Sequence, residues 1–121
     1  MHMKRRSLPN YLLTERKRWA LKQRQVAFLL GLKTGGQISR YECRDQVPYL
    51  RTALACEVIF GVPVRALFRG MYETIEERVI ERAYLLYQEL EHRTDPDGLK
   101  NVELLKEMLA RATKKPNHQV V

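Results

Sequence analysis

The chain has 121 residues, of which 45% are apolar, and a formal net charge of +8. That length holds one compact domain with at most an appendage. No apolar run approaches the ~20 residues of a membrane span, and residues 1–10 lack the apolar core of a secretion signal. Cys43 and Cys56 are the only cysteines and give no disulfide framework, so the expectation is a cytoplasmic protein with reduced thiols. The charge is unevenly spread. Residues 1–45 carry eleven Lys or Arg against three acids, and residues 46–121 carry eleven against eleven, which together make the chain's 22 and 14. A basic first third on a neutral remainder implies one surface that faces a polyanion.

In chain order, residues 1–8 form a short basic arm containing Lys4, Arg5 and Arg6. Two readings stand: a solvated terminus, or an arm that reaches along DNA phosphates or into a minor groove. Ser7 or Asn10 can cap a first helix that tolerates Pro9 in its first turn and runs to about Arg18. Leu8, Tyr11, Leu12 and Glu15 share a face of it. Trp19 and Leu21 lie in the following bend, with Trp19 expected in the core.

Residues 23–42 read as two short helices joined by a glycine turn. Val26, Ala27, Leu29 and Leu30 fall on the buried face of the first. Gly31 ends it, free to take a positive φ. Gly35 and Gly36 open the second, whose inner side carries Ile38 and Tyr41. Gln37, Ser39, Arg40 and Arg44 are left facing outward. Amide and guanidinium groups on one exposed helical face suit bidentate bonding to base edges, with Gln37 favouring adenine and Arg40 guanine. Contact with backbone alone remains open for both. Lys33 and Thr34 in the turn can touch phosphate, and Arg44 beyond the helix would position the protein on phosphate. Gly35 and Gly36 are expected to allow close backbone approach to DNA. A helix pair joined this way is the helix-turn-helix pattern.

From Pro9 to Phe68 the chain also resembles the Cro/C1-type, or XRE, helix-turn-helix family. The residues that carry the likeness are Leu21, Gln23, Val26-Ala27, Gly31-Leu32, Ile38-Ser39-Arg40-Tyr41-Glu42, Pro48, Ala55, Phe60-Gly61-Val62-Pro63 and Leu67-Phe68. The chain departs from the family at Lys22, where Ser or Thr is usual, and in a stretch from Gly31 to Ile38 that is one residue longer than the commonest spacing. The resemblance implies a five-helix lambda-repressor-like bundle. It also implies a structural ion pair of Arg16 with Glu42, and a phosphate contact for Gln23 at a helix N-terminus, where unpaired N–H groups favour anions. Plain helix capping by Gln23 is compatible with that role.

Pro48 is expected at the first position of a helix over residues 49–60, with Leu50, Ala53, Leu54, Glu57 and Val58 at helical spacing. Arg51 near its start can add a phosphate contact. Cys56 reads as a small buried hydrophobe. Gly61 stops the helix, and Pro63 opens a short one ending at Leu67-Phe68. Residues 69–72 read as a hinge. A long helix over residues 73–91 follows, with Ile75, Val79, Ile80, Ala83, Leu86, Tyr87 and Leu90 as one apolar stripe. Asp95 is a good N-cap, Pro96 follows it, and a last helix runs over residues 97–112. The organisation expected is therefore all-α: a basic arm (1–8), a helix-turn-helix domain (9–69), a C-terminal helical hairpin (73–113) that either dimerises or folds back on the bundle as extra core, and a loose tail (114–121).

Enzyme chemistry finds no foothold, because the three histidines are scattered and no HExxH, CxxC or phosphate-binding glycine loop occurs. No metal or cofactor is implied. The expected function is a sequence-specific transcriptional regulator binding double-stranded DNA, a repressor acting as a homodimer, since readers of this type address two-fold symmetric sites. The alternative is an antitoxin-type module that autoregulates its operon and binds a partner protein through residues 73–113. RNA binding lacks an exposed aromatic platform for stacking bases.

Overall fold

The computed structural model describes residues 10–114. Over them the chain is all-helical and has no strand: α1 (Leu12–Arg18), α2 (Gln23–Leu30), α3 (Gly36–Glu42), α4 (Leu50–Phe60), α5 (Val64–Leu67), α6 (Arg69–Leu90) and α7 (Pro96–Lys114). The basic arm with Lys4, Arg5 and Arg6, the Ser7 cap, and the tail from residue 115 lie outside the described residues. The chain divides into two compact units, residues 1–73 and residues 74–121. Among the described residues no helix is long and apolar enough to cross a membrane.

In the first unit the core is one cluster of Leu12, Val26, Ala27, Ile38, Tyr41, Ala53, Cys56, Leu67 and Phe68, edged by Leu21, Leu30, Leu32, Phe60, Val62 and Val64. Every one of the five short helices contributes to it. None of them is long enough to stand alone in water, so this shared burial holds them. Asn10 fastens the start of α1. Its Oδ1 accepts the Leu12 N–H at 3.0 Å, and its Nδ2 donates to the Tyr41 carbonyl at 3.2 Å. The adjacent Tyr11 N–H donates to the Leu67 carbonyl at 2.8 Å.

Three of the helices end in the same way. The residue just past the helix turns left-handed, and two N–H groups reach back to close the last turn, as in the Schellman motif. After α2 the turning residue is Gly31 (φ 78), as expected from the sequence. Its N–H donates to the Phe28 carbonyl at 3.1 Å and the Leu32 N–H to the Ala27 carbonyl at 2.8 Å. After α1 it is Ala20 (φ 58) and after α3 it is Arg44 (φ 66). Gly61 (φ 70) ends α4 through a single bond to the Glu57 carbonyl at 2.8 Å.

Four expectations are corrected. Trp19 is not in the core: it is 59% exposed, with the Arg18 guanidinium 5.5 Å over its ring. The left-handed turn at Ala20 sends the chain back so that Leu21, not Trp19, meets the cluster. Leu29 is exposed as well, while Val26 and Ala27 carry the inner face of α2. On α4 the core row is Ala53, Cys56 and Phe60, whereas Leu50, Leu54 and Val58 stand outside it, Val58 being 84% exposed. Both rows have helical spacing, and periodicity alone cannot choose between adjacent apolar rows. Pro48 precedes the α4 cap, Tyr49, and so sits ahead of the helix, not at its first position.

Residues 69–72, expected as a hinge, are helical. They are the first turn of α6. The Tyr72 N–H donates to the Phe68 carbonyl at 3.0 Å, and Arg69 pairs with Glu73 one turn on at 3.0 Å. These bonds carry the helix through Gly70 despite its ~1 kcal/mol propensity cost.

The second unit is a hairpin of two helices joined by residues 91–95. Asp95 caps α7 as expected: its Oδ2 accepts the Gly98 N–H at 3.2 Å, and Arg93 grips the same carboxylate through Nε at 2.8 Å. Glycine is required at 98, because a Cβ there would lie 2.8 Å from Arg93 Cβ. Ala112 lines the same groove as Glu76 and Ile80, so the end of α7 returns beside the first half of this unit's α6 segment. The apolar stripe expected on α6 is split. Ala83 is buried and Ile80, Tyr87 and Leu90 are half-buried, but Ile75, Val79 and Leu86 face out.

Candidate nucleic-acid interface

The geometry of the helix pair is set by glycine at 35 and by one carboxylate. A Cβ on Gly35 would lie 3.1 Å from Gln23 Cβ and 3.2 Å from the Arg24 nitrogen. Gly35 therefore lets the start of α3 lie against the start of α2, whereas Gly36 is exposed and more open. A Cβ on Gly36 would meet only Thr34 Oγ1, at 3.5 Å. That hydroxyl already accepts the Gly36 N–H at 3.3 Å.

Glu42, at the far end of α3, gathers three donors. Arg16 Nε and Nη2 hold it as a fork, the second at 3.0 Å, and Gln23 Nε2 donates to Oε1 at 3.0 Å. The remaining terminal nitrogen of Arg16 donates to the Leu21 carbonyl at 2.9 Å. The guanidinium thus ties α1, the bend and α3 together, and Glu42 adds α2 through Gln23. The Glu42 bond holds the Arg16 guanidinium above its ordinary pKa. Gln23 accordingly has one amide proton committed to the scaffold. Lys22, standing where a hydroxyl cap is usual, leaves a half-built capping box in which Gln25 Oε1 accepts the Lys22 N–H at 2.8 Å.

On the other side of α3, Ile38 and Tyr41 enter the core, and Arg40 is exposed. Gln37 and Ser39 are half-buried. Gln37 is not a bare reading head. Its Nε2 donates to Tyr41 Oη at 3.3 Å and to Gln46 Oε1 at 3.3 Å, and its Oε1 accepts from Arg40 Nη1 at 3.4 Å. Gln46 was not anticipated, because nothing in the spacing tells a turn residue that it will fold back beside the start of the preceding helix.

Some cations are paired and others are not, in both units. Arg16, Arg18, Arg69 and Arg93 each have a carboxylate partner. Among the described residues, no ion pair engages Lys22, Arg24, Lys33, Arg40, Arg44 or Arg51, and all six are exposed. They stand at the start of α2, in the turn, on α3, just past it, and at the start of α4. Thr34 is exposed beside Lys33. Arg44 is fixed by backbone: the Tyr41 carbonyl accepts its N–H at 3.0 Å and the Arg40 carbonyl accepts the Asp45 N–H at 2.9 Å.

Of the thiols, Cys43 is exposed at the end of α3 and Cys56 is buried, where desolvation pushes its pKa up to about 11. A thiol so held is neutral packing, as expected, and offers no nucleophile. Among the described residues no group of three or more His, Cys, Asp or Glu side chains gathers to hold a metal. The hairpin has a groove lined by Glu76, Glu77, Arg78, Ile80, Glu81 and Ala112, acidic where the helix pair is basic. In comparison with known proteins, the chain matches no family model, no curated protein and no solved structure.

Proposed function

We propose that the chain is a sequence-specific regulator of transcription that binds double-stranded DNA, with a Cro/C1-type, lambda-repressor-like bundle in its first unit. The observation that carries this reading is the second helix of the pair, α3. It is anchored in the core by Ile38 and Tyr41, presents Arg40 and Gln37 away from it, and is flanked by five further exposed cations, Lys22, Arg24, Lys33, Arg44 and Arg51, that have no ion-pair partner. Such cations favour phosphate, supply most of the affinity and make it fall with salt. Arg40 and Gln37 would meet base edges in the major groove, and Gly36 has space for close approach to the backbone.

In this reading the protein is a homodimer that sets two copies of α3 into successive major grooves, about 34 Å apart. Repression follows from occupying a promoter and excluding polymerase. The hairpin's exposed Ile75, Val79 and Leu86 support self-association, because soluble monomers rarely leave such apolar rows uncovered. The same row supports a second reading, an antitoxin that covers it with a different protein. Solution mass separates the two: a dimer of the chain alone favours the regulator, and insolubility relieved by a co-expressed partner favours the antitoxin.

The test of DNA reading is selection of bound sites from random duplexes, followed by Arg40→Ala. The variant is expected to lose about 1–3 kcal/mol on the selected site and almost nothing on random DNA. Equal losses on both would make Arg40 a phosphate contact. A wild-type chain that binds no duplex at low salt would overturn the reading.

A further inference from the structure

Gln46 lies in the segment between α3 and α4 and is exposed. Its Oε1 takes one proton of the Gln37 amide at 3.3 Å, while the Tyr41 hydroxyl takes the other at 3.3 Å. Arg40 Nη1 completes the set by donating to Gln37 Oε1 at 3.4 Å. A glutamine amide has two protons and one carbonyl oxygen, so these partners use both protons and define its orientation. Arg40 can only donate, which turns the oxygen of Gln37 toward it and the NH2 toward Tyr41 and Gln46. Tyr41 is buried, but its single hydroxyl oxygen serves one proton of the pair. The second acceptor comes from Gln46 alone.

The bonds are long, at the weak end of the hydrogen-bond range. That strength suits orientation without commitment: each can be exchanged for a base-edge acceptor at little cost, while the rotamer freedom of Gln37 is already reduced before binding.

We propose that Gln46 is a positioning residue for Gln37, holding its amide in one orientation so that base discrimination at the Gln37 position is preorganised. The discrimination half of this assignment rests on the DNA reading above. The geometric half does not.

The test uses the full-length chain and two substitutions. Gln46→Leu keeps the bulk and removes the acceptor; Gln46→Glu keeps an acceptor oxygen. In the free protein, NMR relaxation of the Gln37 side-chain amide is expected to report restraint in the wild type, mobility in Gln46→Leu and restored restraint in Gln46→Glu. On the selected site, Gln46→Leu is expected to lose about 3- to 10-fold in discrimination at one base pair, the scale of immobilising one long side chain. Affinity for random DNA and the salt slope should not move. In a Gln37→Ala background, Gln46→Leu should change nothing further.

A Gln37 amide equally mobile in wild type and Gln46→Leu overturns the assignment. So does a Gln46→Leu loss that persists undiminished with Gln37→Ala, since Gln46 would then touch DNA itself. A wild-type chain that selects no duplex overturns the DNA reading, and the role in discrimination falls with it, even where the amide measurement shows restraint. A selected site with a Gln37 indifferent to Gln46 overturns the positioning role alone.

Discussion

The two units solve the same problem, covering apolar helix faces, to different extents. In residues 1–73, five short helices each place side chains in a shared cluster, and Leu12, Val26, Ile38, Cys56 and Leu67 are fully enclosed. The hairpin has only two helices, and among the described residues its only buried apolar side chains are Ala83, Val102 and Leu105. Ile75, Val79, Tyr84, Leu85, Leu86, Leu99 and Leu104 are left outside. Charge runs the other way. The first unit holds fourteen Lys or Arg against five acids, and the second eight against nine. A helix pair cannot cover two apolar rows on one helix, so one row is left over. A closed bundle, with its core complete, is free to specialise its surface in charge.

The largest effect should come from the tie that has no counterpart in the hairpin. Arg16→Ala would leave the Glu42 carboxylate, only 5% exposed, with the Gln23 amide as its remaining side-chain partner. The expected loss is about 3 kcal/mol, the cost of stranding a buried charge, read from urea unfolding. Hydrogen exchange should locate it in α1–α5 and leave α7 amides protected. Equal loss of protection in α7 would mean that the two units unfold as one.

The converse probe is the Val79→Glu and Leu86→Glu pair. These residues are exposed in the single chain, so the helix content and midpoint of a dilute sample should barely move. Self-association should weaken about 30-fold or more, given ~1–2 kcal/mol per large apolar side chain kept wet. Analytical ultracentrifugation decides it, and a variant with unchanged mass would remove this row from the interface.

The first unit should also be the one sensitive to alkali. Burial raises the Cys56 pKa to about 11, whereas an unfolded thiol ionises near 8.5. The unfolded chain therefore loses its proton first. The stability tied to a neutral Cys56 is whole below about pH 8.5 and falls as pH rises toward 11, by on the order of 3 kcal/mol. Cys56→Ala should flatten that slope relative to wild type. The opposite edge belongs to the hairpin, where the Arg93 bond lowers the Asp95 pKa, so its contribution is present above about pH 4 and is lost as pH falls through the folded value.

Much of this was legible in the residues and some was not, for identifiable reasons. Gly31 and Gly61 announced left-handed turns because only glycine takes them freely, and both turns are there. The inner positions Ile38 and Tyr41, the Asp95 cap and the neutral Cys56 follow equally direct rules. The placement of Trp19, Leu50, Leu54 and Val58 did not, because hydrophobicity says that a residue can be buried but not which of two apolar rows meets the cluster. Gly35 also meets a demand inside the fold, its closeness to Gln23 and Arg24, which no spacing rule announces. Gln46 was missed because its partner is nine residues away across a turn. Ala20 and Arg44 gave no signal at all: both stand in left-handed turns that the sequence marks elsewhere with glycine.

Arg44 therefore offers the finest test of the comparison, since all four left-handed positions among the described residues lie in the first unit. An L side chain in that region costs about 1 kcal/mol, part of which glycine gives back through its greater freedom in the unfolded chain. Arg44→Gly should thus be more stable than Arg44→Ala by about 0.5–1 kcal/mol, although both lose the same guanidinium. Gly31→Ala is the matching control. Nothing lies within 4 Å of a Cβ built there, so its loss would report the conformation alone, without a clash. If the Arg44 variants prove equal in thermal midpoint, the turn after α3 carries no strain, and it is set by the Arg40 and Tyr41 carbonyls and not by the residue that occupies it. If glycine wins while both variants bind random DNA equally weakly, then position 44 holds an arginine against its own backbone preference. A phosphate contact supplies a reason for that.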